Sequence, residues 1–182
     1  MTPRRIVLIR HDKPQIVEGV PSADWRLSDA GRAAAADLAQ DFRHFEFARI
    51  AGSPEPKAVG TAEAFAKTLG LTVEIDPGLA EHARRSMGFL SREELETGVA
   101  RFFAEPDRLV FGNESADAAY ERFAGAIARQ PGRDVIAVTH GTILSIYVSR
   151  AAAIDPFAFW RALTTPAAVV LEAGKAPVVH AR

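Results

Sequence analysis

Short unbroken apolar runs alternate along this chain with longer stretches whose apolar residues recur at helical spacing, the rhythm of an α/β domain. Ile6-Val7-Leu8-Ile9 is a β-branched-rich run of strand length and predicts a strand covered on both faces. It stops abruptly at Arg10-His11-Asp12. After a loop containing Pro14, Gly19 and Pro21, Ser28 is placed to N-cap an alanine-rich helix from about Asp29 to Arg43, with Gly31 weakening its first turn. Phe47 to Gly52 reads as a weaker strand. Ser53-Pro54 then leads into a helix from about Pro56 to Leu69, with Ala58, Ala62, Phe65 and Leu69 on one face. Thr72 to Ile75 is a short strand closed by Pro77-Gly78.

The stretch from Leu79 to Gly112 is polar and interrupted at Gly88, Gly98 and Pro106, which predicts an excursion with one or two short helices over one edge of the sheet. Ala116, Tyr120, Phe123 and Ile127 form a helical stripe within Asn113 to Arg129. Val135-Ile136-Ala137-Val138 is a second buried strand, ending at Thr139-His140-Gly141 and running into a helix with Leu144, Tyr147, Val148 and Ala151 on one face. Ala168 to Glu172 and Pro177 to His180 read as a closing strand and a terminal extended piece. The expectation is one domain over residues 1–182, without internal repeats, carrying a variable excursion at about 79–112.

Composition narrows the function classes. With 182 residues, 48% of them hydrophobic and 25% charged, the chain can bury the core of a single globular domain. Lys and Arg number 22 against 23 Asp and Glu, so a net charge of -1 supplies no global attraction to nucleic acid or anionic lipid. Any anion site must be local. The longest apolar run, Ala167 to Leu171, is five residues, far below the ~20 that cross a bilayer. The apolar stretch after the N-terminal arginines is too short for a signal-peptide core. Without cysteine there is no disulfide framework, thiolate nucleophile or cysteine-based metal site. These features predict a cytoplasmic protein; nothing in the sequence fixes an oligomeric state.

Open α/β sheets bind ligands at the carboxyl ends of their strands, where loops and helix N-termini converge. Three polar clusters hold that position: Arg10-His11, Ser53 to Lys57, and Thr139-His140-Gly141. Two histidines and at least two cations beside helix N-termini make an oxyanion pocket, with phosphate as the natural guest. Neutral imidazole, of unperturbed pKa about 6.5, is a nucleophile that can accept a phosphoryl group there.

Arg10-His11 after a strand, Leu27-Ser28-Asp29-Ala30-Gly31-Arg32 at a helix start, Ser53-Pro54 with Thr61-Ala62-Glu63 downstream, Leu79-Ala80-Glu81, and Val138-Thr139-His140-Gly141 follow one another in a known order. In this order the chain resembles the histidine phosphatase superfamily, the phosphoglycerate-mutase-like branch 1, over roughly residues 4 to 172. The resemblance implies a three-layer α/β/α sandwich around a mostly parallel, mixed sheet. It implies His11 as the nucleophile, Arg10, Lys57, His140 and Gly141 as the phosphate-binding set with His140 also catalytic, and Glu81 as proton donor and then base. No metal or other cofactor is implied, because fixed cations and imidazoles supply the positive charge. Three positions depart from the family pattern. Asp12 replaces a glycine after the nucleophile, Lys57 replaces the arginine of a Ser-Pro-Leu-x-Arg-Ala segment, losing its planar fork, and Val17 stands where many members have asparagine.

These residues predict a metal-independent phosphomonoesterase working through a phosphohistidine on a small phosphorylated metabolite. The alternatives are a non-catalytic phosphate-binding or protein-interaction module with a decayed site, and a phosphoglycerate-mutase-type phosphotransferase. Substrate choice is expected to lie in the excursion. Arg84 and Arg85 read as solvated loop residues, with selection of an anionic leaving group as the alternative; Trp25, Phe89 and Trp160 read either as packing residues or as the walls of a substrate mouth.

Overall fold

The computed structural model describes residues 5–181, except for the side chain of Arg85. The first apolar run forms strand β1 (Arg5–Arg10), and β2 (Phe47–Gly52), β3 (Val73–Ile75), β4 (Asp134–Thr139), β5 (Ala167–Glu172) and β6 (Val178–Ala181) complete a sheet of order β3-β2-β4-β1-β5-β6. β3, β2, β4 and β1 are parallel to one another, and β5 and β6 add an antiparallel edge. The terminal extended piece is therefore a true edge strand.

Alternating side chains of the central strands enter two cores, which makes the architecture a three-layer sandwich. Val7, Ile9, Ile136 and Val138 join the core beneath α1 (Asp29–Ala39) and α2 (Pro56–Leu69). Leu8 and Ala137 face the other core, with α3 (Arg92–Ala104), α4 (Ala116–Ala128), α5 (Gly141–Ala152) and α6 (Pro156–Ala162). Val7, Leu8 and Ile9 are all fully buried, as expected of a strand sandwiched between helix layers.

Three details differ from the sequence expectations. The first helix passes into a 3₁₀ turn at Gln40–Phe42 after Ala39. The excursion supplies one α-helix, α3, whose Val99 and Phe102 are fully buried in a face core, where a position over an edge was expected. Helix α6, capped by Asp155, was not anticipated at all. Among the described residues no helix is long and apolar enough to cross a membrane.

Ser28 does cap α1, its Oγ accepting from the Gly31 N–H at 3.0 Å and donating to the Lys13 carbonyl oxygen at 2.8 Å. Gly31 is there for space: a Cβ would stand 2.7 Å from the Lys13 carbonyl oxygen. The loop that follows the first strand is thereby held against α1.

Candidate active site

Parallel register brings three strand ends to one edge. Arg10 pairs with Thr139 and Gly52 with Val138, while the His11 N–H donates to the Thr139 oxygen at 3.0 Å and the Ser53 N–H to the Val138 oxygen at 2.9 Å. His11, Ser53 and His140 thus leave the sheet side by side. His11 and His140 flank a cavity of about 430 Å³ whose walls include all six residues singled out in the sequence: Arg10, His11, Lys57, Glu81, His140 and Gly141.

The two imidazoles meet edge to face, with ring centroids 5.1 Å apart and planes at 64°. His11 Nδ1 lies 2.8 Å from the Asp12 carbonyl oxygen. A carbonyl can only accept, so Nδ1 carries the proton and Nε2 of the neutral ring keeps its lone pair. Burial, then His140 and Lys57, hold the His11 pKa well below the ordinary histidine value. His140 is fully buried, with Nε2 2.7 Å from Ser53 Oγ, and burial and Lys57 likewise depress its pKa. Both rings are neutral at cellular pH.

Arg10 lies against the first turn of α5. A Cβ on Gly141 would come within 3.2 Å of Arg10 Nε, so glycine is what lets the guanidinium settle there. Arg10 Nη1 donates to the Leu163 carbonyl oxygen, whereas Nε is buried without a hydrogen-bond partner among the described residues. Asp12 is fully buried and does not line the cavity: its backbone N–H donates to Thr61 Oγ1 of α2 at 3.3 Å, its Oδ1 accepts from the Lys13 N–H at 2.5 Å, and its Oδ2 has no hydrogen-bond partner among the described residues. Burial raises the Asp12 carboxyl, partly offset by that N–H. The acid that stands in the family's glycine position is not part of the cavity wall.

Lys57, on the first turn of α2, is 4% exposed and lines the cavity. Its Nζ donates to the Ser22 carbonyl oxygen at 2.6 Å and ion-pairs with Glu55. The other Glu55 oxygen accepts from the Glu81 N–H at 3.1 Å and stands 3.5 Å from His140 Nε2. Sequence reasoning missed Glu55, although the signal was present: an acid two residues before the lysine, where the family pattern has leucine. Arg84 was expected to be solvated. Instead it lines the cavity with a side chain only 14% exposed, Nη2 at 3.7 Å from Glu81 Oε2 and Nη1 buried without a partner among the described residues. The side chain of Arg85 lies outside the described residues. Val17 is half exposed and does not line the cavity.

Glu81 caps α5. Its Oε1 accepts from Ile143 N–H at 3.0 Å and His82 N–H at 2.9 Å, and its Oε2 from Thr142 N–H at 3.1 Å. Burial alone would raise its pKa, but Arg84, His140 and the amides of His82 and Thr142 outweigh it and hold the carboxyl well below the usual range. The backbone that presents Glu81 is clamped from outside the excursion. Arg122 Nη1 on α4 donates to the carbonyls of Gly78 and Ala80 at 2.8 and 3.0 Å, its Nη2 to that of Glu81 at 3.3 Å, and Thr139 Oγ1 donates to that of Leu79 at 2.8 Å. Next to it, His82 is buried with Nε2 donating to the Phe111 carbonyl oxygen at 2.6 Å, and burial and Arg84 push its pKa down to about 4.

Trp25, Phe89 and Trp160 all line the cavity, and Trp160 also packs against a face core and stacks on Phe157 with ring centroids 6.0 Å apart. The family model of the histidine phosphatase superfamily (branch 1) matches residues 6–175. Among curated proteins none matches the chain. Among solved structures, a mycobacterial glucosyl-3-phosphoglycerate phosphatase in complex with VO3 is similar at 21% identity and a TM-score of 0.71, covering 97% of this chain and 96% of that one. A phosphoserine phosphatase mutant from Entamoeba histolytica in complex with phosphoserine is similar at 17% identity and a TM-score of 0.71, covering 97% and 95%. A mycobacterial hydrolase is similar at 19% identity and a TM-score of 0.73, covering 97% and 96%.

Proposed function

Because the chain belongs to the histidine phosphatase superfamily, branch 1, we propose that it is a phosphatase that hydrolyses a small phosphate monoester through a phosphohistidine on His11. The observation that carries this reading is the bond from His11 Nδ1 to the Asp12 carbonyl at 2.8 Å, which leaves an unprotonated Nε2 in a cavity with Arg10 and His140. The setting we propose is cytoplasmic, in keeping with the absence of cysteine.

In the first step His11 Nε2 forms a bond to phosphorus as the bond to the ester oxygen breaks. Arg10, His140, Lys57 and the Gly141 N–H stabilise the charge on the transferring oxygens. Glu81 is ionised at rest. A dianionic phosphoryl group arriving beside it raises its pKa, so it takes up a proton on substrate binding and gives that proton to the leaving alkoxide. In the second step water attacks the phosphohistidine, its proton returns to Glu81, and inorganic phosphate leaves a neutral His11.

The reading as a non-catalytic module drew on Asp12 and Lys57. Asp12 does not line the cavity and Lys57 does, which supports a site whose positive charge is retained. The test is to trap the phosphoenzyme by rapid base quench with a labelled ester. The expected label is acid-labile and base-stable, as a phosphoramidate is, and disappears together with turnover in His11→Ala. Label retained in that variant places the nucleophile elsewhere.

A further inference from the structure

Part of the cavity lining has a different chemistry from the phosphoryl-binding groups. This wall is built from Pro21, Trp25, Phe89, Leu90, Leu95 and Trp160. Trp25 and Phe89 come from separate loops and meet with ring centroids 6.3 Å apart and planes tilted by 52°, a spacing at which aromatic rings attract. No Asn, Gln or Asp side chain lines the cavity among the described residues.

The polar atoms nearby are already engaged. Trp25 Nε1 donates to the Val20 carbonyl oxygen at 3.0 Å, and the Ser22 carbonyl oxygen accepts from Lys57 at 2.6 Å. The buried polar atoms of lining side chains that lack a partner among the described residues are Arg10 Nε, His140 Nδ1, His82 Nδ1, Arg84 Nη1 and Thr142 Oγ1, all on residues that flank or contact the His11, His140 and Glu81 cluster. Phe89 is 41% exposed although it lines the cavity, a side chain that ordinarily buries itself. A sugar or hydroxy-acid ester would leave its hydroxyl or carboxylate groups facing this wall without partners, which is costly in a closed site.

We propose that the substrate is the monoester of an apolar, ring-bearing alcohol, with the ring held among Trp25, Phe89 and Trp160. This deepens the phosphatase reading and rests on it. The aromatic wall then supplies remote binding energy that holds the ester oxygen between His11 and Glu81.

The test compares 2-phenylethyl phosphate with n-propyl phosphate and glycerol 1-phosphate, whose leaving alcohols are similarly poor, so that leaving-group acidity does not set the order. We expect kcat/KM for the phenylethyl ester to exceed the others by about tenfold or more, from the apolar area its ring buries. Phe89→Ser and Trp25→Leu, each checked for folding by its melting curve, should shrink that ratio severalfold. Equal rates, a preference for glycerol phosphate, or a ratio unmoved in both variants overturns the proposal. Phenylethylphosphonate and methylphosphonate, which cannot be hydrolysed, read the same wall by calorimetry. Equal affinities overturn the ring assignment, whereas tighter phenylethylphosphonate binding without turnover of any ester supports the wall and overturns the phosphatase reading alone.

Discussion

Lys57 and Glu55 form an ion pair inside the cavity, with Lys57 Nζ also donating to the Ser22 carbonyl oxygen at 2.6 Å. The site therefore carries a resident carboxylate that contacts Lys57 and the Glu81 N–H and stands near His140, groups that an incoming phosphoryl oxygen would use. A guest must compete with it.

Glu55→Gln keeps the shape and removes the charge, and should tighten inorganic phosphate and vanadate binding by about tenfold, ~1.4 kcal/mol. Lys57→Ala should weaken both by ~1.5–3 kcal/mol, the scale of a hydrogen bond to a charged group. Isothermal titration reads both; unchanged affinity in Lys57→Ala would show that the lysine serves only its carboxylate.

The depressed pKa values of His11 and His140 have two pH consequences, one for rate and one for stability. Burial comes first among the causes for both. With His11 neutral, the acid limb of kcat/KM should fall well below pH ~6.5, the free histidine value. For stability the folded pKa lies under the unfolded one, so protons bind the unfolded chain preferentially. Stability is then lost as pH drops below about 6.5. Denaturant melts across that range should show the loss, reduced in His11→Asn; a stability profile flat to pH 5 or below would contradict the burial.

Glu81 shifts in the same sense for linkage, over a more acidic range. Burial pushes its carboxyl up, but Arg84, His140 and the α5 amides more than offset this and leave it depressed. It contributes stability above the unfolded value of about 4.3 that disappears as pH falls through the folded one. Glu81→Gln should flatten that acid dependence. It should also slow alkyl phosphates by ~10²–10⁴-fold while affecting p-nitrophenyl phosphate much less, because a good leaving group needs little protonation. Equal losses on the two substrates would assign Glu81 to organising α5 rather than to proton transfer.

Gly141→Ala separates folding from function. An alanine is favoured in a helix by roughly 1 kcal/mol over glycine, so the melting temperature should hold or rise. The new Cβ would stand 3.2 Å from Arg10 Nε. It should displace the guanidinium and lower phosphate affinity and kcat together. Full activity in this variant would show that Arg10 has room to move.

The strands were legible because β1 and β4 are buried on both faces and so appear as unbroken apolar runs. The edge strand β6 lacks that signal, since Val178 and Val179 are half exposed. Helices α3 and α6 carried local signatures that periodicity alone passed over: the capping box of Ser91 with Glu94, and Asp155 ahead of Pro156. His11, His140, Arg10 and Glu81 could be singled out because each follows a strand or a turn within a motif. Arg122 could not, since its partners lie 41 to 44 residues away in sequence and only the fold aligns a side chain with those carbonyls.

That same clamp divides labour within the polypeptide. The carbonyls of Gly78, Leu79, Ala80 and Glu81 are gripped by α4 and the end of β4, neither of which belongs to the aromatic wall. The segment beyond Arg84 can be lengthened, shortened or rewritten while the backbone of Glu81 stays gripped and the His82 amide and Arg84 keep their contacts to its carboxylate. Selection on the part of the wall formed by Phe89, Leu90 and Leu95 can therefore act on one stretch of the gene without disturbing the reaction centre, and a loop transplanted between relatives after Arg84 should inherit working chemistry from its new host.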